Sequence, residues 1–311
     1  MEYKLNYTNF TKTSCQSDLN ELNIQNNVLK ESLVNRDSFL NFDDINDIIL
    51  NAVDKDIIVH QNDYDEFKNV IKFYSTKYNS YYIVKTATSK DNSILNEVVV
   101  SLHSKGLLTK AHDAGFKQKI IYKNKEYIYD YVIYDYITGF VLSPFKYRQL
   151  IENGSLNTIT FKKLINDIIY RLYLLNINID FTHYDMHLYN IAIEEVNKTL
   201  YPHIIDYEMS HIKVHGMDIG IDAHTINVQN RSFWVADIIK LLMSFYDITF
   251  YLDNAMDDIQ KINCENKLLI IKYLLYFFDE KDIIPYHTNV IYSEELNCNK
   301  FEDFIKYMNK N

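Results

Sequence analysis

Three polar side chains between residues 181 and 210 have the types and spacing that metal-assisted phosphoryl transfer requires. The stretch reads FTHYDMHLYNIAIEEV, a short polar turn, then YPHIIDYEMS, so that His183, Asp185 and Asn190 give HxDxxxxN and Asp206 follows the apolar pair Ile204 and Ile205. Magnesium takes hard oxygen ligands and keeps several waters. Asp206 with Asn190 would therefore supply one anionic and one neutral oxygen and leave room for phosphate oxygens. Asp185 is then left to accept a hydroxyl proton, provided a rigid loop holds it within hydrogen-bond reach of the acceptor.

The elements that must position these groups can be read on either side. The runs at 191–193 (Ile-Ala-Ile) and 203–205 (His-Ile-Ile) read as two strands, with Asn197 and Lys198 at the turn between them. Upstream, FKKLINDIIYRLYLLNINI places Leu164, Ile168, Leu172 and Leu175 at helical spacing, so a helix delivers the chain to the loop. The plainer alternative is a polar loop with an ordinary turn aspartate.

At these residues the chain resembles the protein-kinase-like superfamily, in particular the divergent serine/threonine kinases of large DNA viruses. HYDMHLYNIAI looks like that superfamily's catalytic loop, and IIDYEMS stands where protein kinases carry their DFG segment. The resemblance spans roughly residues 55–290 and is sharp at 183–210. It implies Asp185 as catalytic base, Asn190 and Asp206 as metal ligands, His183 as support for the loop, and ATP with Mg²⁺ as cofactors. Two positions depart from the pattern. His187 stands in place of the lysine of ordinary serine/threonine kinases, and Glu208 in place of the DFG glycine. HxDxHxxN with IDxE is also similar to aminoglycoside and choline kinases, so the motif specifies the reaction better than the acceptor.

With 311 residues the chain can bury one large core or two lobes sharing a cleft, and 47% hydrophobic residues make it globular rather than disordered. A net charge of −10 without a basic stripe argues against nucleic-acid partners and anionic membrane surfaces. Cys15, Cys264 and Cys298 lie far apart without CxxC spacing, which fits reduced thiols. No apolar run has the length of a signal core or a membrane span. An intracellular, cytoplasmic protein is expected, in host cytoplasm or virion if the source is viral.

From the N-terminus, residues 17–34 place Leu19, Leu22, Leu29 and Leu33 at helical spacing, and a shorter helix follows Asn41. These pack on the small lobe or bind a partner. Strand-like runs follow at 57–60, 70–74 and 81–85, with a hairpin turn at 77–80. Lys85 ends the third run, and Glu97, on a helix-like SILNEVVVSL, is its candidate partner. Such a pair would neutralise α- and β-phosphates, the roles that the resemblance also implies. The alternatives are an exposed lysine and glutamate, or Lys90 as the phosphate contact. No glycine precedes Gly106, so the turn at 61–68, with Asp63, Asp65 and Glu66, lacks the Cβ-free residues that let backbone N–H groups approach phosphate. A pseudokinase scaffold is therefore carried as a further alternative.

Residues 119–122 and 126–133 read as antiparallel strands running into a linker at 134–139. The resemblance implies that linker backbone meets the adenine edge, with Tyr134, Asp135 and Tyr136 as the contacts. A ligand-free core strand is the other option. Beyond Gly139 the pattern is helical: 234–242 is amphipathic, 267–278 is apolar nearly all round, and 301–308 closes the chain. Asp237 looks like the helix aspartate that anchors a kinase catalytic loop, or else is a solvated helix-face residue. Thr225 and Ser232 are the only modifiable hydroxyls expected in an activation segment at 211–233. The histidines near His183 and His187 lack the cysteines or HExxH of a zinc site, and His112 with Asp113 lacks a matching ligand series.

The expectation is thus an α+β, two-lobed fold with ATP in its cleft. It comprises a helical extension at 1–54, a small nucleotide-binding lobe with linker at 55–139, and a helical catalytic lobe at 140–311. The expected activity is transfer of a phosphoryl group to a protein hydroxyl, with a small-molecule kinase as the alternative.

Overall fold

The computed structural model describes residues 45–49, 69–88, 93–122, 124–214, 216–220, 233–250, 257–278 and 300–310. The expected helix at 17–34, the strand at 57–60, the acidic turn at 61–68, Lys90, Thr225 and Ser232 lie outside them. The fold class is α+β, and the chain divides after Tyr136 into two compact units, with Ile219 and Gly220 counted in the first.

The first unit is a four-stranded antiparallel sheet in the order β1-β2-β4-β3, formed by β1 (Asn69–Ser75), β2 (Ser80–Thr88), β3 (Ala111–Tyr122) and β4 (Lys125–Asp135). Helix α1 (Ser93–His103) connects β2 to β3. Side chains alternate across the sheet, as a two-residue period demands. Ile71, Tyr82, Val84, Tyr129, Tyr131 and Ile133 form a core with Ile120. That core is completed by Ile45 and Ile49 from a helical turn at 45–49, and the Tyr129 hydroxyl donates to Asn46 Oδ1 at 2.9 Å. Val70, Lys72, Tyr74, Tyr81, Ile83 and Lys85 alternate with those residues and occupy the opposite face. A bulge at Gly115 lets Tyr131 cross the strand, since a Cβ there would lie 2.2 Å from its ring.

The second unit is mainly helical. Helix α2 (Pro144–Glu152) starts with Ser143 as N-cap and proline in its first turn, and α3 (Thr158–Ile179) starts with a capping box between Asn157 and Thr160. Asp180, in the left-handed region at φ 48°, ends α3 and turns the chain into the 181–190 loop. A three-stranded sheet follows, with β5 (Phe140–Val141) beside the hairpin of β6 (Ile191–Val196) and β7 (Thr199–Ile204). Its two-residue turn, Asn197 and Lys198, has both φ values positive (50° and 63°), which suits the strand twist. Beyond a short hairpin of β8 (Ile212–Val214) and β9 (Met217–Ile219) come α4 (Trp234–Phe250), α5 (Asp257–Leu274) and α6 (Phe301–Lys310).

Two helical expectations need adjustment. The run at 267–278 is not core on all sides: Leu269, Ile270, Tyr273 and Leu274 are buried, whereas Leu268 and Leu275 are exposed. Helix α4 instead has the nearly continuous buried surface, Val235 through Thr249, and α6 is fastened by Phe301 stacked on Trp234 at 4.2 Å.

Candidate active site

The loop that carries Asp185 is built around a strained residue. Tyr184 has φ 62°, an uncommon and costly conformation for a bulky L-residue, and it persists because helix α4 holds the peptide groups on both sides. Asp237, in the first turn of α4, accepts the His183 N–H at 2.6 Å and the Tyr184 N–H at 2.9 Å. Lys240 lies on the same helix face three residues on and donates to the Tyr184 carbonyl at 2.7 Å. Asp237 is thus the buried anchor rather than a solvated residue. Burial pushes its carboxyl up to about 7, against the pull of the two N–H donors and Lys240.

Asp185 is half-buried, and its two oxygens meet different groups. Oδ1 is 3.3 Å from Lys240 Nζ, and Oδ2 is 3.3 Å from both His187 Nε2 and Asn190 Nδ2. The His187 hydrogen bond, followed by the charge of Lys240, holds this carboxyl well below the usual carboxylate range despite partial desolvation. It is therefore ionised at every ordinary working pH and is suited to orienting a hydroxyl through a hydrogen bond.

Asn190 ends a single 3-10 turn (Leu188–Asn190) and is buried, with Nδ2 donating to the Asp185 carbonyl at 2.8 Å. That bond turns the amide nitrogen inward and leaves Oδ1, the atom a hard cation needs, on the other side of the group. Asp206 is brought alongside by the β6–β7 pairing. The Ile205 N–H donates to the Asn190 carbonyl at 3.0 Å, one step beyond the Ile191–Ile204 pair. At φ 60° Asp206 turns the chain out of β7, a conformation that aspartate tolerates better than most residues. His183 is fully buried and its Nε2 is bonded to the Ile205 carbonyl at 3.0 Å, which ties the loop to the strand that ends at Asp206. Burial lowers its pKa, so the ring is a neutral brace.

In the first unit, Lys85 Nζ lies 3.0 Å from Glu97 Oε2, with 9% and 2% of the two side chains exposed. The β2 register puts Lys85 on the sheet face that also carries Val70, Lys72 and Ile83. The linker residues stand differently from the sequence expectation. Strand β4 continues through Asp135, so Tyr134 pairs with Ile83 and Ala111, and Asp135 pairs with Tyr82. Tyr134 and Asp135 are strand residues, and Asp135 is also 2.8 Å from His112. Tyr136 follows the strand. Its N–H donates to the Tyr81 carbonyl at 3.2 Å, and Lys72 Nζ sits 3.7 Å above its ring.

The structure therefore brings together Asp185, Asn190 and the chain segment of Asp206, with His183 bridging them, and separately joins Lys85 to Glu97. Sequence reasoning missed Lys240. The available signal was its position three residues after Asp237, which places both on one helix face. Among the described residues no group of three or more His, Cys, Asp or Glu side chains is arranged to hold a metal ion. One carboxylate and one amide oxygen nevertheless match magnesium, which binds through few protein ligands when phosphate oxygens and waters complete its shell.

No protein-family model matches the chain, and no curated protein does. Among solved structures it is similar to WaaP in complex with acyl carrier protein, at 11% identity and TM-score 0.40, over 74% of this chain and 88% of that one. No helix among the described residues is long and apolar enough to cross a membrane.

Proposed function

We propose that the chain is an ATP-dependent phosphotransferase. The observation that supports this most is the Asp185 carboxylate, ionised and held on a loop whose strained peptide groups are bonded to Asp237 and Lys240. A constellation held this firmly suits a reaction in which positioning and charge supply most of the catalysis. The acceptor hydroxyl hydrogen-bonds to Asp185 and its oxygen attacks the γ-phosphorus of ATP. The bond from that phosphorus to the bridging oxygen breaks, its electron pair leaves on ADP, and the hydroxyl proton passes to Asp185 and then to solvent. Asn190 and Asp206 would hold Mg²⁺, which when bound neutralises charge on the phosphate oxygens. Lys85, kept in place by Glu97, would pair with the α- and β-phosphates. His183 positions the loop. Tyr134, Asp135 and Tyr136 remain the candidate adenine contacts.

A protein hydroxyl is the first candidate acceptor. Small-molecule transfer is the second, favoured by His187, which lies against Asp185 where ordinary protein kinases have lysine. Incubation with γ-labelled ATP and Mg²⁺ against a peptide library and, in parallel, an aminoglycoside and amino-alcohol panel tests the proposal. Label in one panel assigns the acceptor class. No label in either, together with no thermal stabilisation by millimolar Mg·ATP, would make the chain a scaffold.

A further inference from the structure

Lys240 has no part in the motif that led to Asp185, yet it is bound to that residue's loop more directly than any other cation among the described residues. It arrives from α4, 55 positions beyond Asp185, and donates to the Tyr184 carbonyl at 2.7 Å and to Asp185 Oδ1 at 3.3 Å. A lysine ammonium has three N–H donors and two are placed by these bonds. The side chain keeps 19% of its surface open, and the third donor is the one these two bonds do not place.

Geometry fixes what that donor can reach. A hydroxyl accepted by Asp185 lies about 2.6–3.2 Å from the carboxylate, and the phosphorus that it attacks lies about 3–3.5 Å beyond. A cation 3.3 Å from the same carboxylate stands at the edge of the volume where phosphoryl charge moves. The His187 ring, which also meets an Asp185 oxygen at 3.3 Å, lies against Oδ2 instead.

We propose that Lys240 is a further catalytic residue of this site, its ammonium donating to an oxygen of the phosphoryl group in transit while its other two bonds hold it to the Asp185 loop. This rests on the phosphotransfer reading above. The covalent changes are those already written, the γ-phosphorus exchanging its bond to ADP for one to the acceptor oxygen. Lys240 keeps its protons throughout, because its contribution is charge and a hydrogen bond. Aligned with Asp237 through the helix, it also means that one element both fixes the loop and supplies the cation.

The test compares the full chain with Lys240→Met, Lys240→Arg, Asp185→Asn and the double variant Asp185→Asn/Lys240→Met. Readouts are ATP turnover, with water as acceptor if no other is found, the melting midpoint, and the thermal shift with Mg·ATP. Lys240→Met should slow turnover by about 10²–10³-fold, with a lowered midpoint from loss of the Tyr184 carbonyl bond that is too small to account for the rate, and with the Mg·ATP shift near the parent's. Lys240→Arg should recover part of the rate, and the double variant should be no slower than Asp185→Asn, as expected of groups acting in one step. Turnover of Lys240→Met within threefold of the parent overturns the proposal, as does an arginine variant no faster than the methionine one. A midpoint that falls in both Lys240 variants in step with their rates also overturns it, because Lys240 would then be only a brace. A parent that turns over no ATP removes the phosphotransfer reading itself, a result distinct from one confined to Lys240.

Discussion

Of the lysine–carboxylate pairs among the described residues, the two that carry candidate site residues are built in opposite ways. Lys85 and Glu97 meet at 3.0 Å between a strand and a helix, almost fully buried. Lys240 and Asp185 meet at 3.3 Å with 19% and 37% of their side chains open, and the carboxylate also faces His187 and Asn190. A dry pair strands a charge when one partner is removed, whereas an open one exposes its survivor to water. Breaking the first pair should therefore cost its unit stability as well as any phosphate contact that Lys85 makes, whereas breaking the second should act mainly on the ligand.

Removing the proton acceptor should give the largest effect. Asp185→Asn is expected to lower turnover by about 10²–10⁴-fold, with nucleotide-dependent stabilisation unchanged. Equal turnover in variant and parent would remove Asp185 from the mechanism. Next comes the anchor: Asp237→Ala leaves two buried N–H groups without acceptors, so denaturant unfolding should show a loss of about 3 kcal/mol or more. Since the strained Tyr184 is then held only at its carbonyl, by Lys240, activity should fall in the molecules that stay folded.

The buried pair gives the sharpest contrast. Lys85→Met should cost about 3 kcal/mol because Glu97 is left buried and charged, while Lys85→Met/Glu97→Leu should return to within about 1 kcal/mol of the parent. The double variant should still bind nucleotide poorly. If it binds Mg·ATP like the parent, the pair is structural alone. The smallest effect is on pH. Burial holds the pKa values of His183 and His211 below their ordinary 6.5, so the unfolded chain takes up protons that the folded one resists. Their contribution is whole above about pH 6.5 and shrinks below it, by at most about 1.4 kcal/mol per histidine for each pH unit. Asp237, pushed up to about 7, works in the opposite sense over the same range because the folded chain takes up its proton first, so the readout is the difference between variants: His183→Asn should lose less stability than the parent, or gain more, between pH 7 and 5.5.

What the sequence revealed and what it hid follow from range. The β6–β7 hairpin was legible because Asn197 and Lys198 interrupt two short apolar runs, and the helix before the loop because Leu164, Ile168 and Leu172 repeat at helical spacing. Asp237 was visible only through resemblance, since nothing local says that a helix aspartate will meet the N–H groups of residues 183 and 184. Lys240 was hidden for the same reason. The end of β4 was misplaced because Tyr134, Asp135 and Tyr136 continue a tyrosine-rich run without a glycine or proline to mark where pairing stops. Leu268 shows another limit: an apolar helix run does not reveal which of its leucines water will touch.

The central claim is that Asn190 and Asp206 present a nucleotide-bound cation to Asp185. Its most direct test is a thermal-shift titration of the parent and of Asp206→Asn with ATP alone, Mg²⁺ alone, and the two together. Mg·ATP at about a hundredfold its dissociation constant should stabilise the parent by about 2.7 kcal/mol. Either component alone should do far less, and Asp206→Asn should melt like the parent without ligand and lose the magnesium-dependent part. A parent indifferent to Mg·ATP, or a variant stabilised as much as the parent, would contradict it.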